Sequence, residues 1–143
     1  MILSAALMCL AQAIFFEARG EPFIGKVAVA SVVINRTLDP RFPNDVCAVV
    51  RQGPVYTHRP GIPVRNKCQF SFYCDGKSDE LNMGLKSAKE SVAVARLMLS
   101  GLGSDVTEGA TFYHATYVQP YWASKRTRSV HIDNHIFYRW DND

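Results

Sequence analysis

The sequence predicts an α+β domain, and three observations carry that expectation. Two apolar stretches, "MILSAALMCLAQAI" and "IGKVAVASVVINR", space their apolar residues at helical steps on either side of two acids, Glu17 and Glu21. A third stretch, from Leu85 to Ser100, does the same with a polar outer face. After residue 110 the pattern changes to short runs rich in aromatic and β-branched residues. Helices first and strands mostly later imply a small antiparallel sheet against a helical lobe.

Each element follows from local pattern. Leu3, Leu7, Leu10 and Ile14 step by four, three and four, which is one helical face. Ser4 can cap its start. One further step of three reaches Glu17, so the apolar stripe ends in a carboxylate. Gly20 can close this helix and Pro22 can open the next. Met8, Cys9, Phe15 and Phe16 fall off the stripe, so the helix is expected to be buried nearly all round. The second helix should run from about Pro22 to Arg36, with Phe23, Val27, Ala30 and Ile34 inward. "LDPRFPND" then breaks the chain, and Asn44 or Asp45 can cap a short helix over "VCAVVRQ". Residues 53–67 hold three prolines and two glycines and read as a long surface loop, a kind of segment that often carries function. "QFSFY" alternates as a strand does, with Phe70 and Phe72 on one face. Leu85, Ala88, Val92, Ala95 and Leu99 stripe the next helix. Lys86 and Glu90 form a surface pair on it, and Gly101 stops it. "ATFYHA", "RSVHI" and "HIFYRW" read as strands, the last two joined by a tight turn at Asp133-Asn134.

Composition bounds the rest. A chain of 143 residues, 48% hydrophobic and 20% charged, suits one domain over residues 1–143 with a working core. A net charge of +3 permits an anionic partner without singling out nucleic acid. Lys125, Arg126 and Arg128 form a basic patch, either a solvated loop or a contact for an acidic polymer. Cys9, Cys47, Cys68 and Cys74 lack the paired short spacings of a zinc module. Cys9 reads as a small core residue, which leaves room for a single disulfide among the other three. Ala11-Gln12-Ala13 looks like a signal-peptidase site, yet no Lys or Arg precedes the apolar run. That run is also short for a membrane span. A helix of the domain itself is therefore expected, with no stable membrane insertion.

The residues that carry chemistry are few. A carboxylate closing an apolar stripe is costly to ionise, so the pKa of Glu17 should rise into the range a general acid needs. The competing reading is an ion pair with Arg19 or Arg36, or a backbone contact. Glu21 at a helix start is favoured by the dipole and reads as structural, or as support for Glu17. Tyr113, Tyr117, Tyr121 and Trp122 cluster within ten positions and suit either sheet packing or stacking on sugar rings. His131 and His135 have a metal spacing only if they share a helix, which the turn between them opposes. No phosphate loop or nucleophile elbow occurs, and the reading calls for no cofactor.

Taken together, "FFEARGEPFIGKVAVASVVINR", "FPNDVCAVVRQ", "QFSFYCDG", "FYHATYVQPYWA" and "NHIFY" resemble, in order, the blocks of the SleB/CwlJ cell wall hydrolase family. The resemblance covers nearly the whole chain. It implies a lysozyme-like fold with the catalytic Glu at the end of the first helix, the position that periodicity gives Glu17. It implies that Glu17 is the catalytic acid, and that Glu21, Gln69, Ser71, Phe72, Tyr113, His114, Trp122, Asn134 and His135 line or brace the cleft. Tyr117 joins them as a stacking surface. Phe16 and Asp133 stand where such proteins often have Gly, so Phe16 could narrow the cleft and Asp133 adds a carboxylate near it.

The resemblance further implies bacterial peptidoglycan as substrate, an alternating strand of N-acetylglucosamine and N-acetylmuramic acid. The expected enzyme is a monomeric, stand-alone catalytic domain acting at the cell wall, made in the cytoplasm and then released, as a phage endolysin or minimal autolysin is. No second catalytic acid stands out, which favours a lytic transglycosylase over a hydrolytic muramidase. Asp75, Asp133 or Glu21 could still serve hydrolysis. The rival classes are a non-catalytic glycan-binding module and a zinc amidase built on the histidines.

Overall fold

The computed structural model describes residues 4–141, so Leu3 lies outside the described residues. Helix α1 spans Ala5–Ala18. Ser4 caps it: its backbone is extended, and its hydroxyl accepts the Leu7 N–H at 3.1 Å. Leu10 and Ile14 are fully buried, but so are Ala11, Ala13, Phe15 and Ala18, because α1 has neighbours on several sides. Arg19 ends it in helical backbone and the Glu21 N–H reaches the Ala18 carbonyl, so Gly20 supplies no left-handed turn.

Helix α2, Phe23–Leu38, runs two residues beyond the expected end. Val27, Ala30 and Val33 face the helical core, while Ala28 and Val32 pack with Ala110 and Phe137 of the sheet side. Helix α2 is thus the layer between helices and sheet. Phe23, expected inside, is 61% exposed because it lies in the first turn, ahead of that sandwich. Helix α3, Val46–Val50, starts at Asp45, whose carboxylate accepts the Ala48 N–H. Helix α4, Lys86–Leu99, buries Ala88, Val92 and Ala95 and leaves Leu85 and Leu99 partly exposed at its ends. Gly101 follows at φ +82°, where other residues are strained. Helix α1 packs on α2, α3 and α4. Among the described residues no helix is long and apolar enough to cross a membrane.

The strands are β1 (Phe112–Ala115), β2 (Thr127–Ile132) and β3 (His135–Arg139). They form one antiparallel sheet in the order β1-β3-β2, with Tyr113 opposite Phe137. Asp133 turns the β2–β3 hairpin at φ 50°.

Two expectations are corrected. "QFSFY" is no strand: Ser71–Cys74 is a 3₁₀ turn. Phe70 and Phe72 are both buried, but a disulfide joins Cys68 to Cys74, whose Cα atoms are 6.1 Å apart. Six extended residues would span roughly 20 Å, so the bridge requires a coil there. Cys9 is buried, yet it is bonded to Cys47 and ties α1 to α3. The chain therefore holds two disulfides, where the sequence left room for one and did not choose among the pairings.

The two bridges should differ in weight. Loop-closure entropy grows with the segment closed, and the separations are 38 and 6 residues. Replacing Cys9 and Cys47 by alanine should cost about 4 kcal/mol in urea unfolding, and replacing Cys68 and Cys74 about 2 kcal/mol. A larger loss from the short loop would reverse the assignment.

Candidate active site

The site is built on the seam between α1 and α2. Glu17 lies in the last turn of α1, half-buried. The seam is held by Lys26, 3% exposed, whose ammonium donates to the Glu21 carbonyl at 2.5 Å and the Arg19 carbonyl at 3.4 Å. A cation suits carbonyls left open past a helix C-terminus. The same ammonium lies 3.6 Å from Glu90 on α4. Gly25 lets the Glu21 side chain lie across the first turn of α2, since a Cβ there would meet Glu21 Cβ at 2.8 Å.

Two cavities meet at Glu17. One, about 540 Å³, is walled by Gln69, Ser71, Phe112, Trp122 and the guanidinium residues Arg36 and Arg126. The other, about 470 Å³, is bordered by Arg19, Glu21 and Asn134. Both share Phe16, Glu17, Ala115, Tyr117 and His135. A linear ligand lying in both would cross the carboxyl.

Burial raises the Glu17 carboxyl above its ordinary pKa, and a hydrogen bond from the Tyr113 hydroxyl to Glu17 Oε1 draws it partly back. The Tyr113 phenol is itself held well above its usual value by burial and by the carboxylate beside it. Glu21 is pushed up to about 7, first by burial and then by Asp133. Its Oε1 lies 3.0 Å from His135 Nδ1, out of line for a hydrogen bond, and Asn134 donates to its Oε2 at 3.4 Å. Burial lowers the pKa of His135, so both members of this pair lean toward their neutral forms. Arg36, 5% exposed, is drawn down to about 10 by burial and stays charged at neutral pH.

Most of the expected residues converge here. Glu17, Gln69, Ser71, Tyr113, His114, Tyr117, Trp122 and His135 line the larger cavity, and Glu21 and Asn134 the smaller. Phe72 does not reach either cavity wall. It is buried and stacks beneath Phe16, with ring centroids 4.9 Å apart, so it is a brace. His114 bonds the Tyr138 hydroxyl at 2.9 Å and the Ala115 carbonyl at 2.8 Å, and His131 lies 2.8 Å from the Asp133 carbonyl. Among the described residues no three His, Cys, Asp or Glu side chains group as metal ligands. Asp75 and Asp133 border neither cavity. Sequence reasoning missed the role of Arg36 as a wall residue. The signal was present, since Arg36 ends an α2 face of Val29, Val32 and Val33 as Glu17 ends the face on α1.

A helical lobe, a small sheet and a dry carboxyl over an aromatic cleft define an acid-bearing cleft domain. Solved structures share this architecture. The catalytic domain of the germination-specific lytic transglycosylase SleB from Bacillus anthracis aligns over 96% of this chain and 97% of its own, at 27% identity and a TM-score of 0.64. That of Bacillus cereus SleB aligns over 94% and 89%, at 29% identity and a TM-score of 0.65. A spore cortex-lytic enzyme of Halalkalibacterium halodurans is 31% identical over 133 residues. That alignment covers 92% of this chain but 34% of the relative, so the chain spans about a third of that protein. The Cell Wall Hydrolase family model matches residues 20–138. The chain belongs to this family, of the SleB/CwlJ type.

The raised carboxyl fixes a sign for stability. A carboxyl whose folded pKa exceeds its unfolded value of 4.5 contributes stability fully present below that value and lost as pH rises through the folded one. Glu17→Gln does not titrate. Its stability relative to the parent should therefore increase from pH 4 to pH 8, read by urea unfolding at each pH. Tyr113→Phe removes the bond to the ionised form and should move the Glu17 titration further up, followed by carboxyl-selective infrared or NMR. A downward movement would mean that the phenol does not stabilise the carboxylate.

Proposed function

We propose that the chain cleaves peptidoglycan glycan strands at the β-1,4 bond from N-acetylmuramic acid to N-acetylglucosamine, as a lytic transglycosylase. The observation that carries this reading is the raised carboxyl of Glu17 at the meeting of two cavities. A strand in the groove would present a glycosidic oxygen to a carboxyl whose protonated form burial favours. Glu17 donates that proton as the bond to the leaving sugar breaks. The resulting carboxylate accepts the Tyr113 hydroxyl bond, then takes the proton of the muramyl C6 hydroxyl. That oxygen closes onto C1 and gives the 1,6-anhydro sugar. Proton count returns to the start, and no water enters.

The surroundings favour this route over hydrolysis. A hydrolytic partner must be an ionised carboxylate at the groove. Glu21 borders the smaller cavity, but burial pushes its pKa up to about 7, and Asn134 and His135 flank it. Gln69 and Ser71 supply polar contacts for sugar hydroxyls and acetamido groups, and Tyr117, 85% exposed, offers a stacking face. The two disulfides suit an oxidising site of action, as the cell wall would be. A monomer is sufficient, since every group named comes from one chain.

Digestion of purified sacculi followed by mass spectrometry tests this. The parent should release muropeptides ending in 1,6-anhydro-N-acetylmuramic acid, and Glu17→Gln should lose at least about a thousandfold in rate, as loss of a principal acid does. Activity should fall as pH rises through the raised Glu17 value, because the acid must carry its proton. Reducing ends would point to a muramidase, free stem peptides to an amidase. Intact strands bound by the parent would point to a binding module.

A further inference from the structure

Two guanidinium groups line the larger cavity without carboxylate partners. Arg36 comes from α2 and Arg126 follows the 3₁₀ turn Tyr121–Lys125. They share the ring of Phe112, with centroid distances of 5.3 Å and 4.9 Å. Arg36 donates Nε to the Thr111 carbonyl at 2.7 Å, and Arg126 donates Nη1 to the Lys125 carbonyl at 3.2 Å. Arg36 Nη1 and Arg126 Nε are buried and have no hydrogen-bond partner. Among the described residues neither arginine is ion-paired, whereas nearby Arg41 and Arg139 each hold an aspartate. Aromatic faces offset part of the cost of a buried cation, but an orphaned guanidinium donor still lacks its acceptor. Two guanidinium groups lining one cavity suit a carboxylate, which a guanidinium binds through paired N–H groups.

We propose that the Arg36–Arg126 wall is an anion subsite that takes the carboxylate carried on the 3-O-lactyl substituent of a muramyl residue. This rests on the glycan-strand reading above. Of the two alternating sugars only the muramyl bears such a group. It can belong to the lactyl arm of a stem-free sugar or to the first residues of a peptide stem, and both present the same charge. The wall bounds the larger cavity alone, while the smaller one is bordered by Arg19 and Glu21. The subsite therefore lies to one side of Glu17 and fixes which sugar occupies that side, hence which of the two alternating bonds crosses the acid.

The test compares kcat/KM on four strands: stem-bearing and stem-free, each as the free acid and as its methyl ester. The parent should favour at least one acid over its ester by about tenfold, and the favoured pair identifies the source of the charge. Arg126→Gln, with its fold checked by near-UV circular dichroism, should bring that ratio close to one. Equal cleavage of acid and ester by an active parent overturns the anion subsite and leaves the glycosidic reading standing. Retention of the full ratio by Arg126→Gln also overturns it. A parent that cleaves none of the strands overturns the glycosidic reading and the subsite with it.

Discussion

The structure depends on keeping one carboxyl largely out of water while leaving it open to a groove. Glu17 meets both demands because it ends an apolar stripe. The body of α1 sits in the core among α2, α3 and α4, and its last turn emerges at the cleft. Desolvation there opposes ionisation, and Tyr113 offers one hydrogen bond to the ionised form. The two effects have opposite signs, and burial is the larger. Burial therefore disfavours the ionised form, and the phenol limits the cost of reaching it.

That arrangement demands precision from elements far apart in sequence. Tyr113 sits on β1, which is held by β3, which in turn packs through Phe137 on Ala28 and Val32 of α2. Only four residues separate the end of α1 from the start of α2, across a seam bound by Lys26. The phenol and the carboxyl are therefore referenced to the same helix from both sides. The Cys9–Cys47 bridge adds a third tie, between α1 and α3.

Much of this was legible in sequence because it follows from periodicity. The stripe from Leu7 to Glu17, the caps at Ser4 and Asp45 and the turn at Asp133-Asn134 are local patterns with local causes. What was not legible depended on distant partners. "QFSFY" alternates like a strand, yet a disulfide to Cys74 closes it into a coil. Cys9 has the setting of a core residue and is one, but the sulfur of Cys47 lies beside it. Phe72 belongs to a block shared with cleft residues and sits one layer below them. Arg36 reads in sequence as the end of the second helix and as a possible ion partner of Glu17. Only the sheet, which covers it and offers the Thr111 carbonyl, makes it a buried group.

The contrast between the two acids of "EARGE" carries the chemical argument furthest. Both are raised by burial, but their neighbours differ. Glu17 has a phenol that donates to its ionised form, so losing the proton strengthens that bond. Glu21 has Asp133 beside it, and a second carboxylate makes ionisation worse. Glu21 also lies across Gly25 and between Asn134 and His135, where its shape links α2 to the β2–β3 turn. The raised pKa of Glu17 is drawn partly back by a donor to its ionised form, whereas that of Glu21 is pushed further up by a neighbouring carboxylate.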